Sequence, residues 1–130
     1  MSAPDLLFVY GTLRAGYDDP MAAWLHAAGR LAGRGRARGS LYRVDDYPGM
    51  VADDGGWVIG DIVVLDDPAA ALAILDEHEQ CSESWPEPRE YRRERIMVVS
   101  DKHDPIEAWT YIYAHDARAL ERIGSGDFLR

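Results

Sequence analysis

The chain has 130 residues, 47% hydrophobic and 28% charged, which is one domain with enough apolar material to build a core without disulfides or metal. Its formal charge of −9 argues against nucleic acid or an anionic membrane as partner, because both would repel it. Cys81 is the one cysteine, so no internal disulfide forms, and the N-terminal residues carry neither a basic leader nor an apolar span; a cytoplasmic protein is expected.

In chain order, Leu6-Leu7-Phe8-Val9 is a short β-favouring run stopped by a glycine, which predicts a buried strand over residues 5–10. Tyr10-Gly11-Thr12-Leu13-Arg14 comes next. Gly11 lets the backbone take positive φ or pass close to a ligand. The amides after it can converge on an anion as a nest. The same residues also suit an ordinary strand-to-loop turn. Asp19-Pro20 has the form of a helix N-cap with proline at the first helical position. Met21, Trp24, Leu25 and Ala28 then recur at helical spacing until Gly29 supplies a stop. Arg34 to Gly39 alternates strictly, so a strand there sets Arg34, Arg36 and Arg38 on one face and small residues on the other. Those arginines suit a solvated face among many acids, or a carboxylate site. Leu41 to Val44 continues the strand, and Asp45 to Gly49 is a turn. Asp53-Asp54-Gly55-Gly56 is the clearest hairpin signal, followed by a strand from Trp57 to Leu65.

Asp67-Pro68 repeats the cap-and-proline device and opens a second helix that ends near Glu79. Gln80 to Glu90, with Pro86 and Pro88, reads as a loop. A strand from Tyr91 to Val99, a turn from Asp101 to Pro105 and a strand from Glu107 to Tyr113 come next. A helical turn around Ala117 to Ile123 precedes the C-terminal tail. Strands outnumber helices and the helices interrupt them, so the class is α+β, in a single domain over residues 1–130.

Glu79 is the carboxylate with chemical potential. Leu72, Leu75 and Glu79 fall at i, i+3 and i+7, in line on the face that should meet the core. Burial and the negative helix end would both raise its pKa, as a general base near neutral pH requires. A frayed helix end would instead leave Glu79 in solvent, and periodicity alone leaves both placements open. The four histidines show no metal-ligand spacing. Cys81 has no histidine placed to activate it, and reads as a small semi-buried residue. Arg93 could pair with a buried acid or stay at the surface. Tyr111 and Tyr113 share a strand face, with Tyr113 the candidate pocket wall.

Several of these pieces, in order, resemble the γ-glutamylcyclotransferase-like superfamily: Tyr10-Gly11-Thr12-Leu13 after the first strand; Leu41-Tyr42 leading to Tyr47-Pro48-Gly49; Gly60-Asp61; Leu75-Asp76 before Glu79; Tyr91 with Arg93; and Ser125-Gly126-Asp127-Phe128. The ordered set spans nearly the whole chain. The resemblance implies a small, partly closed mixed β-barrel flanked by helices. It places the family's catalytic acid/base on Glu79, within a segment like Leu-Asp-x-x-Glu; where the family usually has glycine next, this chain has Gln80. The reaction it implies is intramolecular aminolysis of a γ-glutamyl amine or amino acid, giving 5-oxoproline and a free amine. Glu79 would move the proton, and the amides of Gly11, Thr12 and Leu13, beside Tyr10, would receive the substrate and its oxyanion. No cofactor or metal is called for, and the expected partner is a small-molecule γ-glutamyl substrate, with no nucleic acid or membrane. Two rivals remain, a non-catalytic module that binds a glutamyl-like ligand and a transferase for a larger γ-glutamylated metabolite.

Overall fold

The computed structural model describes residues 5–15, 17–81, 85–86, 89–100 and 104–129. Parts of two predicted connections, at 82–84, 87–88 and 101–103, lie outside the described residues. The elements are β1 (Leu6–Val9), α1 (Pro20–Ala28), β2 (Gly29–Arg38), β3 (Ser40–Arg43), β4 (Pro48–Val51), β5 (Trp57–Leu65), α2 (Pro68–His78), β6 (Tyr91–Val98), β7 (Ile106–Tyr113) and β8 (Glu121–Arg122). All eight strands join one mixed sheet.

The sheet curls around its own apolar face. β5 pairs antiparallel with β1 on one side and with β2 on the other. β7 pairs antiparallel with β6 along its length. Across from β6, β7 meets first β1, with Leu7 opposite Trp109, and then β4, with Met50 opposite Ile112; both pairings are parallel. Arg36 and Val99 exchange two backbone hydrogen bonds of 2.9 Å, which ties β2 to the end of β6. The ring β2-β5-β1-β7-β6 is thereby a partly closed barrel, and β4, β3 and β8 extend from it.

Strand alternation explains why β1 is apolar throughout. Leu7 and Val9 point toward the helices, where Leu25, Val63, Leu65, Leu72 and Leu75 complete one core. Phe8 and Tyr10 point the other way, into the barrel with Met50, Val58, Ile62, Val98 and Ile112. A strand covered on both faces has no polar side to show. Each large side chain so buried contributes roughly 1.5–3 kcal/mol. Both helices start as expected: Asp19 accepts from the N–H groups of Met21 and Ala22, and Asp67 from that of Ala70. Such a cap is worth about 1 kcal/mol.

Four local expectations change. β2 begins at Gly29 itself, five residues ahead of the arginine alternation, and passes through a bulge between Leu31 and Gly33, where Gly33 has φ 143°. Leu41 to Val44 does not continue β2: the chain breaks at Gly39, and β3 pairs with β4 and β8 instead. Asp53 to Gly56 is no hairpin, since β4 and β5 are not neighbours; the hairpin is β3–β4, closed by the Val44 N–H donating to Tyr47 O. Around Ala117 to Ile123 a turn leads into β8, which pairs with β3, in place of the helical turn. The arginine alternation itself holds, with Gly35 and Ala37 buried and Arg36 and Arg38 stacked on Trp57 outside.

Candidate active site

The site lies where β1 and β4 part along β7. Two parallel neighbours diverge here, and such a fork leaves a crevice beyond a strand's carboxyl end. Side chains satisfy the backbone groups that the fork exposes. Thr110 Oγ1 donates to Phe8 O at 2.9 Å. The Tyr10 hydroxyl donates to Tyr111 O at 2.5 Å and accepts from the Met50 N–H at 3.1 Å. Tyr91 donates to Pro48 O at 2.7 Å.

The loop after β1 is held from behind. Arg14 N–H donates to Gly11 O at 3.1 Å, which makes a tight turn. The Arg14 side chain is 2% exposed; its Nη1 lies 2.6 Å from Asp127 Oδ1 and its Nε 3.7 Å from Asp61 Oδ2. Asp61 also accepts from the Ala15 N–H at 2.8 Å, and His26 Nε2 reaches Leu13 O at 2.9 Å. Gly11 runs so close to β4 that a Cβ there would sit 2.7 Å from Pro48 Cγ. With these contacts made, the N–H groups of Gly11, Thr12 and Leu13 donate to no acceptor among the described residues.

Those three residues line a cavity of about 530 Å³, together with Tyr10, Glu79, Tyr47, Glu90 and Tyr91. Glu79 is the C-cap of α2, and the helix end that carries it is a complete Schellman closure. Gln80 N–H donates to Glu77 O at 3.2 Å and Cys81 N–H to Asp76 O at 2.9 Å, with Gln80 at φ 58°. Asp76 anchors the same turn from outside: its carboxylate accepts from Arg93 Nε and Nη2 at 2.8 and 3.2 Å and from the Tyr111 hydroxyl at 2.8 Å. Arg93 therefore has its acid, and it also stacks on Trp109.

Glu79 is half-buried, and its carboxylate accepts no hydrogen bond among the described residues. Burial, then the negative charges of Glu90 and Asp19, push its pKa up to about 7. Such a carboxyl can both take and return a proton near neutrality. Cys81 goes the other way as a reagent: burial first, then Asp76 and Glu79, push its thiol up to about 12, so it holds its proton. Among the described residues no three His, Cys, Asp or Glu side chains gather as metal ligands.

The family model for gamma-glutamyl cyclotransferase, AIG2-like, matches residues 7–130. The chain belongs to this family. A Vibrio cholerae protein provisionally named gamma-glutamylcyclotransferase is 34% identical over 125 residues, covering 95% of this chain and 94% of that one. The Bos taurus gamma-glutamylaminecyclotransferase is 31% identical over 121 residues, covering 83% of this chain and 65% of the bovine protein. The solution structure of the Escherichia coli protein ytfP superposes with a TM-score of 0.67 at 29% identity, over 95% of this chain and 96% of that one.

For a cyclotransferase-family chain, the sequence-predicted residues divide cleanly. Tyr10, Gly11, Thr12, Leu13 and Glu79 come together at one cavity although the loop and the helix end lie far apart in sequence. Tyr113 is not among the lining residues. It packs edge-on against Tyr91 and His115, and its Cβ meets Gly49 of β4. Sequence reasoning passed over Glu90 and Tyr47, which face the cavity and share a 2.5 Å hydrogen bond. It also passed over Arg14, although the pairing of an arginine in the loop with Asp61 and Asp127 from two other quoted motifs was the signal available.

Proposed function

We propose that the protein converts a γ-glutamyl amine or γ-glutamyl amino acid to 5-oxoproline and a free amine, in a cytoplasmic setting. The observation that carries this is the meeting, at one cavity, of Glu79 with its raised pKa and three uncommitted loop amides. Glu79 takes a proton from the substrate's α-ammonium, and the freed amine attacks the γ-carbonyl carbon of the same molecule. A ring C–N bond forms as the carbonyl becomes an oxyanion, which the N–H groups of Gly11, Thr12 and Leu13 are positioned to receive. Protonated Glu79 then gives its proton to the leaving nitrogen as the original amide bond breaks, and the surplus proton on the ring nitrogen passes by way of the Glu79 carboxylate to the released amine, which departs as an ammonium. Proton and charge then balance without any added reagent. Folding the glutamyl chain inside the cavity adds the advantage of an intramolecular reaction.

Tyr10 has a different part in this reading. Its hydroxyl is committed on both sides to β7 and β4, so it shapes the cavity wall and leaves the proton transfer to Glu79. The test is mass-spectrometric detection of 5-oxoproline when the protein meets a panel of γ-glutamyl compounds. Release of 5-oxoproline with stoichiometric free amine supports the reading. Tight binding with no release from any compound would instead identify a module that binds glutamyl-like ligands.

A further inference from the structure

One residue joins the two halves of the site. Tyr111 lies on β7 beside the fork, and it is engaged at both ends. Its carbonyl O accepts from the Tyr10 hydroxyl at 2.5 Å, immediately before the Gly11–Leu13 loop. Its own hydroxyl donates to Asp76 Oδ1 at 2.8 Å, in the same last turn of α2 that delivers Glu79. Burial first, then that bond to Asp76, push the Tyr111 pKa up, so the hydroxyl stays a donor. Asp76 is a costly residue for its place, because a carboxylate near a helix C-terminus meets the negative end of the dipole. The sheet supplies what the helix withholds. Arg93 and Tyr111 stand directly opposite each other on β6 and β7, and both donate to this carboxylate, Arg93 through Nε and Nη2 at 2.8 and 3.2 Å. The Arg93 guanidinium lies 4.4 Å from the centre of the Trp109 ring, which steadies its plane. Asp76 O in turn accepts from the Cys81 N–H and closes the turn around Glu79. Neither Asp76 nor Arg93 is among the described residues that line the cavity.

We propose that Tyr111 is a positioning residue for the proton transfer: through Asp76 it holds Glu79 in register with the amides of Gly11, Thr12 and Leu13. The inference rests on the cyclotransferase reading. The loop and the helix end are far apart in sequence, yet the base and the oxyanion donors must face one substrate at a fixed separation. Tyr111 reaches both through bonds that leave the substrate untouched, by its main chain on the loop side and its side chain on the helix side. A misplacement of about 1 Å can cost roughly 10²-fold in rate, so a hydrogen bond behind the reacting groups bears directly on turnover.

The experiment starts from Tyr111→Phe, which removes the hydroxyl and keeps both the ring and the carbonyl that holds Tyr10. On the best γ-glutamyl substrate found, kcat should fall by about tenfold, while calorimetric affinity for 5-oxoproline, which reads the amide side, stays within about twofold of wild type. Asp76→Ala should lower kcat at least as far, and adding Tyr111→Phe to it should cost little more, because the hydroxyl then has no carboxylate to hold. Were Asp76→Ala not to fold, Arg93→Lys, which keeps a charge beside Asp76 and loses the fork, should give the same split between kcat and affinity. Amide hydrogen exchange reads the turn itself: in Tyr111→Phe the Cys81 N–H should exchange about tenfold faster than in wild type, with the amides of β5 unchanged. If the wild-type protein forms no 5-oxoproline from any γ-glutamyl compound, the cyclotransferase reading falls on its own, and the exchange measurement still decides whether Tyr111 holds the turn. Unchanged kcat in Tyr111→Phe, fully additive losses in the double variant, or Cys81 exchange that rises only in step with β5 overturns the inference.

Discussion

At the scale of single residues, Glu79 was legible because its neighbours are so plain. Leu72 and Leu75 fix the helix face, and a carboxylate in line with them stands out; whether it met a cavity or solvent was decided by the Schellman turn, which periodicity does not encode. Tyr113 shows the opposite case. It shares a face with Tyr111, but Gly49 of β4, which takes over from β1 along β7, packs against it, and that fork depends on pairing between distant strands. Two predictions belong here. Thr12→Pro removes one of the three free amides, whereas Thr12→Ser keeps it, so calorimetry with 5-oxoproline should show the proline variant binding at least about tenfold more weakly than the serine variant; equal affinities would mean the amides are not used. The second concerns charge. Because Glu90 helps to raise the Glu79 pKa, Glu90→Gln should move the acidic limb of the kcat/KM profile from about pH 7 to lower pH. Glu79 must be ionised to act as base, so activity rises as pH climbs through its pKa, and a lower pKa extends activity into acid. A limb that stays in place in the variant would show that another group controls it.

At the scale of elements, both helix starts and most strands were readable, since caps, proline positions and alternation are local signals. Asp53 to Gly56 misled for the same reason. A turn sequence reports local backbone geometry and says nothing of which strand the chain then joins; here Asp53 accepts from Gly55 N–H and Ser40 Oγ, and the chain crosses to another part of the sheet. Gln80 stands where the resemblance implies glycine, and its φ of 58° gives that departure a physical meaning. A left-handed residue with a side chain is strained by about 1 kcal/mol, partly offset by the greater freedom glycine has when unfolded. Gln80→Gly should therefore raise stability by up to about 1 kcal/mol in chemical denaturation. A loss of stability would show that the Gln80 side chain contributes more than its backbone strain costs.

At the scale of the whole molecule, composition reads as acidic, and the quoted motifs gave the fold through resemblance. The strand order, with β7 shared by β1, β4 and β6, could not be read from local pattern because every pairing that defines it is long-range. The tail is the clearest instance. Ser125 to Phe128 is legible as a motif of the resemblance, but its partners are not: Gly126 O accepts from Ile59 N–H at 2.8 Å and Asp127 pairs with the buried Arg14. Removing one partner of a buried pair is costly because the other charge loses its close counter-ion, here leaving Arg14 only the longer 3.7 Å contact with Asp61. Asp127→Ala should cost roughly 3 kcal/mol in thermal or chemical unfolding and loosen the Gly11–Leu13 loop, lowering turnover as well; a cost below about 1 kcal/mol would show that the clamp is weak.

The central claim is that Glu79 transfers the proton at this cavity, and the most direct measurement is 5-oxoproline release by wild type and Glu79→Gln on the best substrate found. Glutamine keeps the shape and removes both the base and the proton that it returns. The expected result is a fall of roughly 10²–10⁴ in kcat with little change in substrate affinity, because the lost interaction belongs to the transition state. Equal turnover by the two proteins would contradict the account, removing Glu79 from the chemistry while leaving the fold and family as they stand.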